Sequence, residues 1–205
     1  MEKIGMDLWG TLIEANPKFK ERKTDLFEYY SIQDGENKMN QIKKDFNSII
    51  EYTGWQPDDE IILKMMEGRF EKNINICEKF LNTYQKLAEI YKPLLIDNAK
   101  WFIDVTKNEY ELHLVSNTMF LKGSTLNNIL SDLGIRDDFK TASFSDQMGI
   151  SKPNIQIHRM EFDYFIGDNP ITDGVYSGRL GSKFIQVHSN NKTLKDAYNI
   201  IIENR

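Results

Sequence analysis

The feature that most constrains this chain is a short apolar run that stops at a carboxylate. In Lys3-Ile4-Gly5-Met6-Asp7-Leu8-Trp9-Gly10-Thr11 the run ends at Asp7, and a Gly-Thr turn follows. Open parallel sheets bind ligands outside the C-terminal ends of their strands, so the pattern puts Asp7 on the lip of a buried strand. Three later segments are expected to end the same way. Leu112 to Val115 runs into Ser116-Asn117-Thr118, Gly149-Ile150-Ser151 leads to Lys152-Pro153, and Tyr164-Phe165-Ile166-Gly167 delivers Asp168, with Asp173 one helical turn beyond. A nucleophilic carboxylate, a hydroxyl, a lysine and two more acids, in that order, are the parts that a phosphoryl-transfer site needs.

Between the first of these segments and the rest, the pattern is purely helical. From Asn16 to about Tyr91 apolar residues recur at helical spacing, with breaks at Gln33-Asp34-Gly35-Glu36-Asn37 and Thr53-Gly54-Trp55-Gln56-Pro57. This predicts an insertion of three or four helices. After Lys92-Pro93 the chain alternates. Helices are expected over Asn98 to Lys107, Leu121 to Leu133, Ile171 to Arg179 and Leu194 to Ile202, and strands over Leu112 to Val115, Lys140 to Ser143, Tyr164 to Ile166 and Phe184 to Val187. Alternating β and α segments imply a parallel sheet with right-handed crossovers. The expected fold class is therefore α/β, a Rossmann-like parallel core (1–15 and 93–205) with an all-helical cap domain (16–92).

Composition narrows the partners. The chain has 205 residues, 40% hydrophobic and 28% charged, as an ordinary globular protein does, and its net charge of −5 speaks against non-specific nucleic-acid binding, which needs many Lys and Arg. The single Cys77 has no intrachain disulfide partner, no N-terminal targeting pattern is visible, and no run of eighteen apolar residues exists. A cytoplasmic protein without membrane or nucleic-acid partners, monomeric or homodimeric, is the expectation.

Asp7-Leu8-Trp9-Gly10-Thr11, Ser116-Asn117-Thr118, Lys152-Pro153 and Gly167-Asp168-Asn169-Pro170-Ile171-Thr172-Asp173 resemble the four ordered motifs of the haloacid dehalogenase-like hydrolase superfamily. The helical insertion is similar to the cap that some members carry between the first two motifs. The resemblance implies that Asp7 attacks phosphorus and forms an aspartyl-phosphate, a known use of carboxylates. It implies Mg²⁺ held by Asp7, Asp168 and the backbone carbonyl of Trp9, and a Lys152 that neutralises carboxylate and phosphate. Ser116, with Asn117, Gly10 and Thr11, would hold the substrate, a small phosphorylated metabolite. Asp173 and Asn169 would stand behind these groups, Asp173 orienting Lys152 or a metal-bound water.

Two departures matter. Phosphatases of the superfamily usually carry a second Asp two residues after the nucleophile, as general acid and base; here that position is Trp9, whose N–H only donates. Three readings stay open: a Mg-dependent phosphohydrolase with a good leaving group or an acid borrowed from the cap, a 2-haloacid dehalogenase-like enzyme attacking carbon, or a catalytically impaired phosphate-binding module. The retained Asp168 ranks the first highest, because an acid cluster without a cation repels itself. The other departure is spacing. Between Lys152-Pro153 and the strand at Tyr164 only a short helical turn, Ile155 to Met160, fits, so the core is expected to be trimmed on one face; Lys140 and Lys183 are weaker alternatives to Lys152.

Bland readings hold for the remaining candidates. His113 is read as a core or edge residue, and His158 and His188 lack a partner at metal spacing. Cys77 is read as a buried small hydrophobe. Arg22, Lys23, Lys64 and Arg69 in the cap are read as a solvated face, the aromatics Phe27, Tyr29, Tyr30 and Phe46 as packing, and Trp9 as a wall of the pocket.

Overall fold

The computed structural model describes residues 1–188 and 192–204. The five core strands are short, and the three central ones are almost wholly buried, as strands covered on both faces must be. They are β1 (Lys3–Met6), β4 (Glu111–Ser116), β5 (Thr141–Phe144), β6 (Tyr164–Gly167) and β7 (Lys183–Gln186), all parallel, in the spatial order β5-β4-β1-β6-β7. Since β1 lies at the centre with β4 and β6 on either side, the order reverses at β1. The crevice at such a switch point is where open sheets bind ligands.

A two-residue ribbon, β2 (Ile13–Glu14) paired antiparallel with β3 (Leu94–Leu95), marks where the chain leaves the core and returns. Between them lie α1 (Pro17–Tyr29), α2 (Gly35–Thr53), α3 (Asp59–Phe70) and α4 (Ile74–Ile90). Local chemistry sets these starts: the side chains of Asn16, Asp58 and Asn73 accept from backbone amides in the first turns of α1, α3 and α4, satisfying donors that a helix start leaves open. The bundle closes on Phe27, Phe70 and Phe80, with ring centroids 5.3 to 6.2 Å apart, in offset and edge arrangements favourable to aromatic pairs.

The core crossovers use α5 (Ala99–Thr106), α6 (Gly123–Asp132), α7 (Ser145–Met148), α8 (Val175–Leu180, entered through a π turn at Pro170–Gly174) and α9 (Leu194–Glu203). Between β5 and β6 there is no full helix among the described residues, only the four-residue α7 and a 3₁₀ turn at Ile155–Ile157. Here the sheet face is covered instead by irregular chain, with Ile157, Phe162, Phe165 and Tyr176 forming a small second core. This is the trimmed face that the short spacing implied.

One expected strand is absent. Gly149-Ile150-Ser151 does not join the sheet: Gly149 is left-handed at φ +67°, and Ile150 makes an isolated antiparallel bridge to Trp55. The reason lies in where the backbone hydrogen bonds go. Ser151 N–H donates to Gly54 O (2.9 Å) and Gln56 N–H to Gly149 O (3.3 Å), so this segment pairs with the α2–α3 loop of the cap and not with a core strand. No described helix is long and apolar enough to cross a membrane.

Candidate active site

The sheet delivers the first carboxylate directly. The Asp7 amide donates to Ile166 O (2.9 Å), continuing the β1–β6 ladder by one residue and leaving the side chain just past the strand end. The chain then turns sharply, with the Leu8 carbonyl accepting from Leu12 (2.9 Å) and Ile13 (3.0 Å). Gly10 makes the turn possible. Its φ is +74°, and a β-carbon there would collide with the Asp168 carboxylate, so two acids from neighbouring strands approach across a residue without a side chain. A β-carbon at Gly167 would likewise strike Asp173.

Asp168 follows β6, and Asn169 organises the next turn. The Asn169 side chain accepts from Ile171 N (2.8 Å) and Thr172 N (3.2 Å), while its own amide donates to Asp173 Oδ2 (3.1 Å). Lys152 fills the space between the acids. Only 1% exposed, it places Nζ 2.6 Å from Asp7 Oδ1 and 2.7 Å from Asp173 Oδ1, over the Phe165 ring at 5.4 Å. Asn117 fixes the lysine's backbone from both sides: Lys152 N–H donates to Asn117 Oδ1 (2.8 Å), and Asn117 Nδ2 donates to Lys152 O (3.0 Å). Ser116 is buried at the end of β4, and the Thr11 hydroxyl lies 3.5 Å from Asp7 Oδ2.

The electrostatics are unbalanced. Burial pushes the Asp7 carboxyl up to about 7; Lys152 pulls it back and Asp173 pushes it further. Asp168 is also raised, by burial and then by Asp173. For Lys152 burial works to lower the value, but Asp173 and Asp7 outweigh it and hold the ammonium above the ordinary lysine range. Oxygen atoms of Asp7, Asp168 and Asp173 lie within 4.8 Å of one another, so three carboxylates share one ammonium. A donor set made only of carboxylate oxygens, short of positive charge, fits a hard divalent cation such as Mg²⁺. Lys152 engages both Asp7 and Asp173, and the Asn169 amide also donates to Asp173; Asp7, Asp168 and Asp173 are the residues that could hold such an ion.

The structure thus brings together Asp7, Thr11, Asn117, Lys152, Asp168, Asn169 and Asp173, with Gly10 at their point of closest approach and Ser116 beside Asn117. Lys140 and Lys183 are exposed at the N-terminal ends of β5 and β7, the opposite edge of the sheet. His113 and His158 are buried together, ring centroids 5.6 Å apart, with their Nδ1 atoms 2.8 Å from the Thr141 and Ser143 hydroxyls.

A cavity of about 610 Å³ opens on the cap side of this site, with Trp9 and Asn117 at its core end and Phe19, Phe46 and Tyr84 from the cap. Trp9 is among its lining residues. Lys23 corrects the reading of the cap lysines as a solvated face: it is 7% exposed, lines the cavity, and holds Glu36 at 2.7 Å. Its stem is covered because α1 turns this face toward α2 and the core, a tertiary fact with no local signature.

Gln56 is a further residue that the motifs did not single out. Buried in the α2–α3 loop of the cap, it accepts from Ser151 Oγ (2.6 Å) and donates to Thr118 O (3.2 Å), so it touches the neighbours of both Lys152 and Asn117. The only trace in the sequence is a polar residue held between Gly54 and Pro57.

No protein-family model matches the sequence, and no curated protein sequence matches it. Solved structures do. A protein described as a HAD-hydrolase, YfnB from Bacillus subtilis bound to magnesium, is 19% identical, with 98% of each chain covered and a TM-score of 0.77. A HAD phosphatase from Thermococcus onnurineus is 15% identical over 98% of each chain, TM-score 0.68. A 2-haloacid dehalogenase from Pseudomonas syringae pv. Tomato DC3000 is 13% identical over all of both chains, TM-score 0.65. The shared architecture spans core and cap alike, and the chain has the haloacid dehalogenase-like (HAD) fold with a helical cap inserted after the first strand.

Proposed function

We propose that this chain is a Mg²⁺-dependent phosphohydrolase that works through an aspartyl-phosphate on Asp7. The observation that carries the reading is the cluster of Asp7, Asp168 and Asp173 around a single buried ammonium. A site that attacked carbon with a lone carboxylate would gain nothing from two further acids, which raise its pKa and repel the incoming anion. Asp7 and Asp168 would hold a divalent ion, which would supply charge neutralisation for the phosphoryl oxygens.

The chain's own groups then have the following roles. An Asp7 oxygen attacks phosphorus, the bond to the leaving oxygen breaks, and that oxygen departs with the electron pair. Lys152, pinned by Asp173 and by Asn117, holds its ammonium against Asp7 and the developing charge, pre-organised and shielded from water. Ser116 and the amides after it bind phosphoryl oxygens. Water next attacks phosphorus, releasing inorganic phosphate and restoring the carboxylate. Trp9 supplies no proton to the leaving group, and Glu36, the one acid lining the cavity, is tied to Lys23. Substrates whose leaving group departs without a proton, acyl or aryl phosphates, suit such a site.

Incubation with p-nitrophenyl phosphate and acetyl phosphate, with and without Mg²⁺, tests this. Metal-dependent phosphate release that is abolished in Asp7→Asn is expected. Release of chloride from chloroacetate without metal would move the reading to dehalogenation, and no release from any phosphate ester or anhydride would refute it.

A further inference from the structure

The cavity beside the site has a charge pattern that the phosphoryl chemistry does not use. Four charged residues line it, Lys20, Lys23, Lys43 and Glu36, and they leave two positive charges uncompensated in a chain whose net charge is −5. Lys23 is satisfied by Glu36, with Nζ 2.8 Å from Oε1 and 2.7 Å from Oε2. Neither Lys20 nor Lys43 makes an ion pair among the described residues. Burial of its ammonium, and then Lys23 and Lys20, hold Lys43 below the ordinary lysine value, with Glu36 pulling the other way. Lys20 and Lys43 occupy exposed helix positions, so water screens part of the repulsion, but like charges gathered along one stretch of a cavity still favour an anion placed among them. These lysines come from the cap helices α1 and α2, whereas Trp9 and Asn117 belong to the core and mark the catalytic end of the same cavity.

The lining is largely apolar and aromatic, with Phe19, Phe46, Ile50, Tyr84 and Trp9, beside the polar Asn16, Thr24, Asn47 and Thr118. The aromatic part of this wall favours an apolar body, because a hydroxyl or amide lodged against those rings loses water without regaining a partner. The volume of about 610 Å³ lies in the usual range for enclosing a whole small molecule.

Resting on the phosphohydrolase reading, we propose that the substrate is a phosphorylated compound with an apolar, aromatic-like body and a second acidic group at its far end, held by Lys20, Lys23 and Lys43. The second acid is a carboxylate or a second phosphate; the lysines recognise the negative charge common to both. The reacting phosphate enters toward Asp7, the body lies against Trp9 and Phe46, and the distal anion meets the lysines. Binding energy from a remote group of this kind holds the reacting end in register.

The matched probes are phenyl phosphate, 4-carboxyphenyl phosphate and 1,4-phenylene bisphosphate. The expected result is a kcat/KM at least tenfold higher for one or both diacids than for phenyl phosphate, carried mainly by KM and weakened by salt, with the preferred diacid telling carboxylate from phosphate. In Lys43→Glu the ratio between diacid and phenyl phosphate should collapse toward one. Equal kcat/KM for all three probes, or a ratio unchanged in Lys43→Glu, would overturn the proposal. If no phosphate ester or anhydride is hydrolysed, the phosphohydrolase reading fails first; in that case, or if only the aryl phosphates are refused, calorimetry with 4-carboxyphenylphosphonate and phenylphosphonate decides the pocket alone: tighter binding of the former, lost in Lys43→Glu, supports it, and equal binding overturns it.

Discussion

The two ends of the cavity carry opposite imbalances. At the sheet edge three carboxylates share one ammonium; at the cap end three lysines share one glutamate. At the acid end Lys152 is buried and bonded at short range to Asp7 and Asp173, with the half-buried Asp168 beside them, whereas Lys20 and Lys43 at the cap end are on exposed positions of helices. On the proposed reading one end places atoms for a reaction and takes up a cation, and the other attracts an anion. Chemistry would then be set by the core and selectivity by the cap, and the two can be perturbed separately.

The largest effect comes from removing the lone cation of the acid end. Lys152→Met leaves Asp7 and Asp173 buried with no compensating charge, which costs about 3 to 5 kcal/mol of stability and lowers turnover by about 10² to 10³. Urea unfolding at neutral pH and a turnover assay check both, and a variant as stable as the parent would break the picture of a strained acid cluster.

A neutral region on the trimmed face of the sheet sharpens the contrast. Burial, then His113, then Lys3 push His158 down to about 4, so the fold holds it uncharged. Below about pH 6.5 the unfolded chain takes up a proton that the folded chain refuses. The contribution of His158 is therefore fully present above that pH and is lost as pH drops toward 4, by about 3 kcal/mol at most, while the raised Asp7 and Asp168 carboxyls act in the opposite direction. Chemical denaturation at pH 7 and pH 5, compared with His158→Asn, reads this; an equal loss in both proteins would remove His158 from the explanation.

Trp9→Asp restores a carboxylic acid at the mouth between the two ends. Turnover of an alkyl phosphate such as glycerol 2-phosphate should rise by about 10²-fold, with a smaller gain for p-nitrophenyl phosphate, whose leaving group needs no proton. No gain would mean that the indole position does not face the leaving oxygen. The smallest effect is expected for Gln56, the residue that joins cap and core. Gln56→Ala strands the Ser151 hydroxyl and the Thr118 carbonyl, costing about 1 to 3 kcal/mol of stability. It should lower kcat/KM by about tenfold with Mg²⁺ affinity unchanged.

The difference between the ends is also a difference in legibility. Asp7, Ser116 and Asp168 were readable because each ends an apolar run, and a parallel sheet forces strand ends onto one edge. Lys152 was found through its Pro153 and its place between the other motifs, although the strand thought to carry it does not form; its segment pairs with the cap loop at Gly54 and Gln56 instead. The four cap helices followed from periodicity and from breaks at Gly and Pro. Lys20, Lys23 and Lys43 were opaque. Lysines on amphipathic helices look alike whether they face water or a cavity, and only the packing of α1 against α2 and the core decides which. Gln56 was hidden for the same reason, since its partners lie 62 and 95 residues away.

The central claim is that Asp7 and Asp168 hold a divalent ion at the sheet edge. Titration calorimetry of Mg²⁺ into the protein and into Asp168→Ala, both confirmed folded by circular dichroism, tests it most directly. Stoichiometric uptake by the parent and its loss in Asp168→Ala is the predicted result; no uptake by the parent, or the same uptake by both, would contradict it.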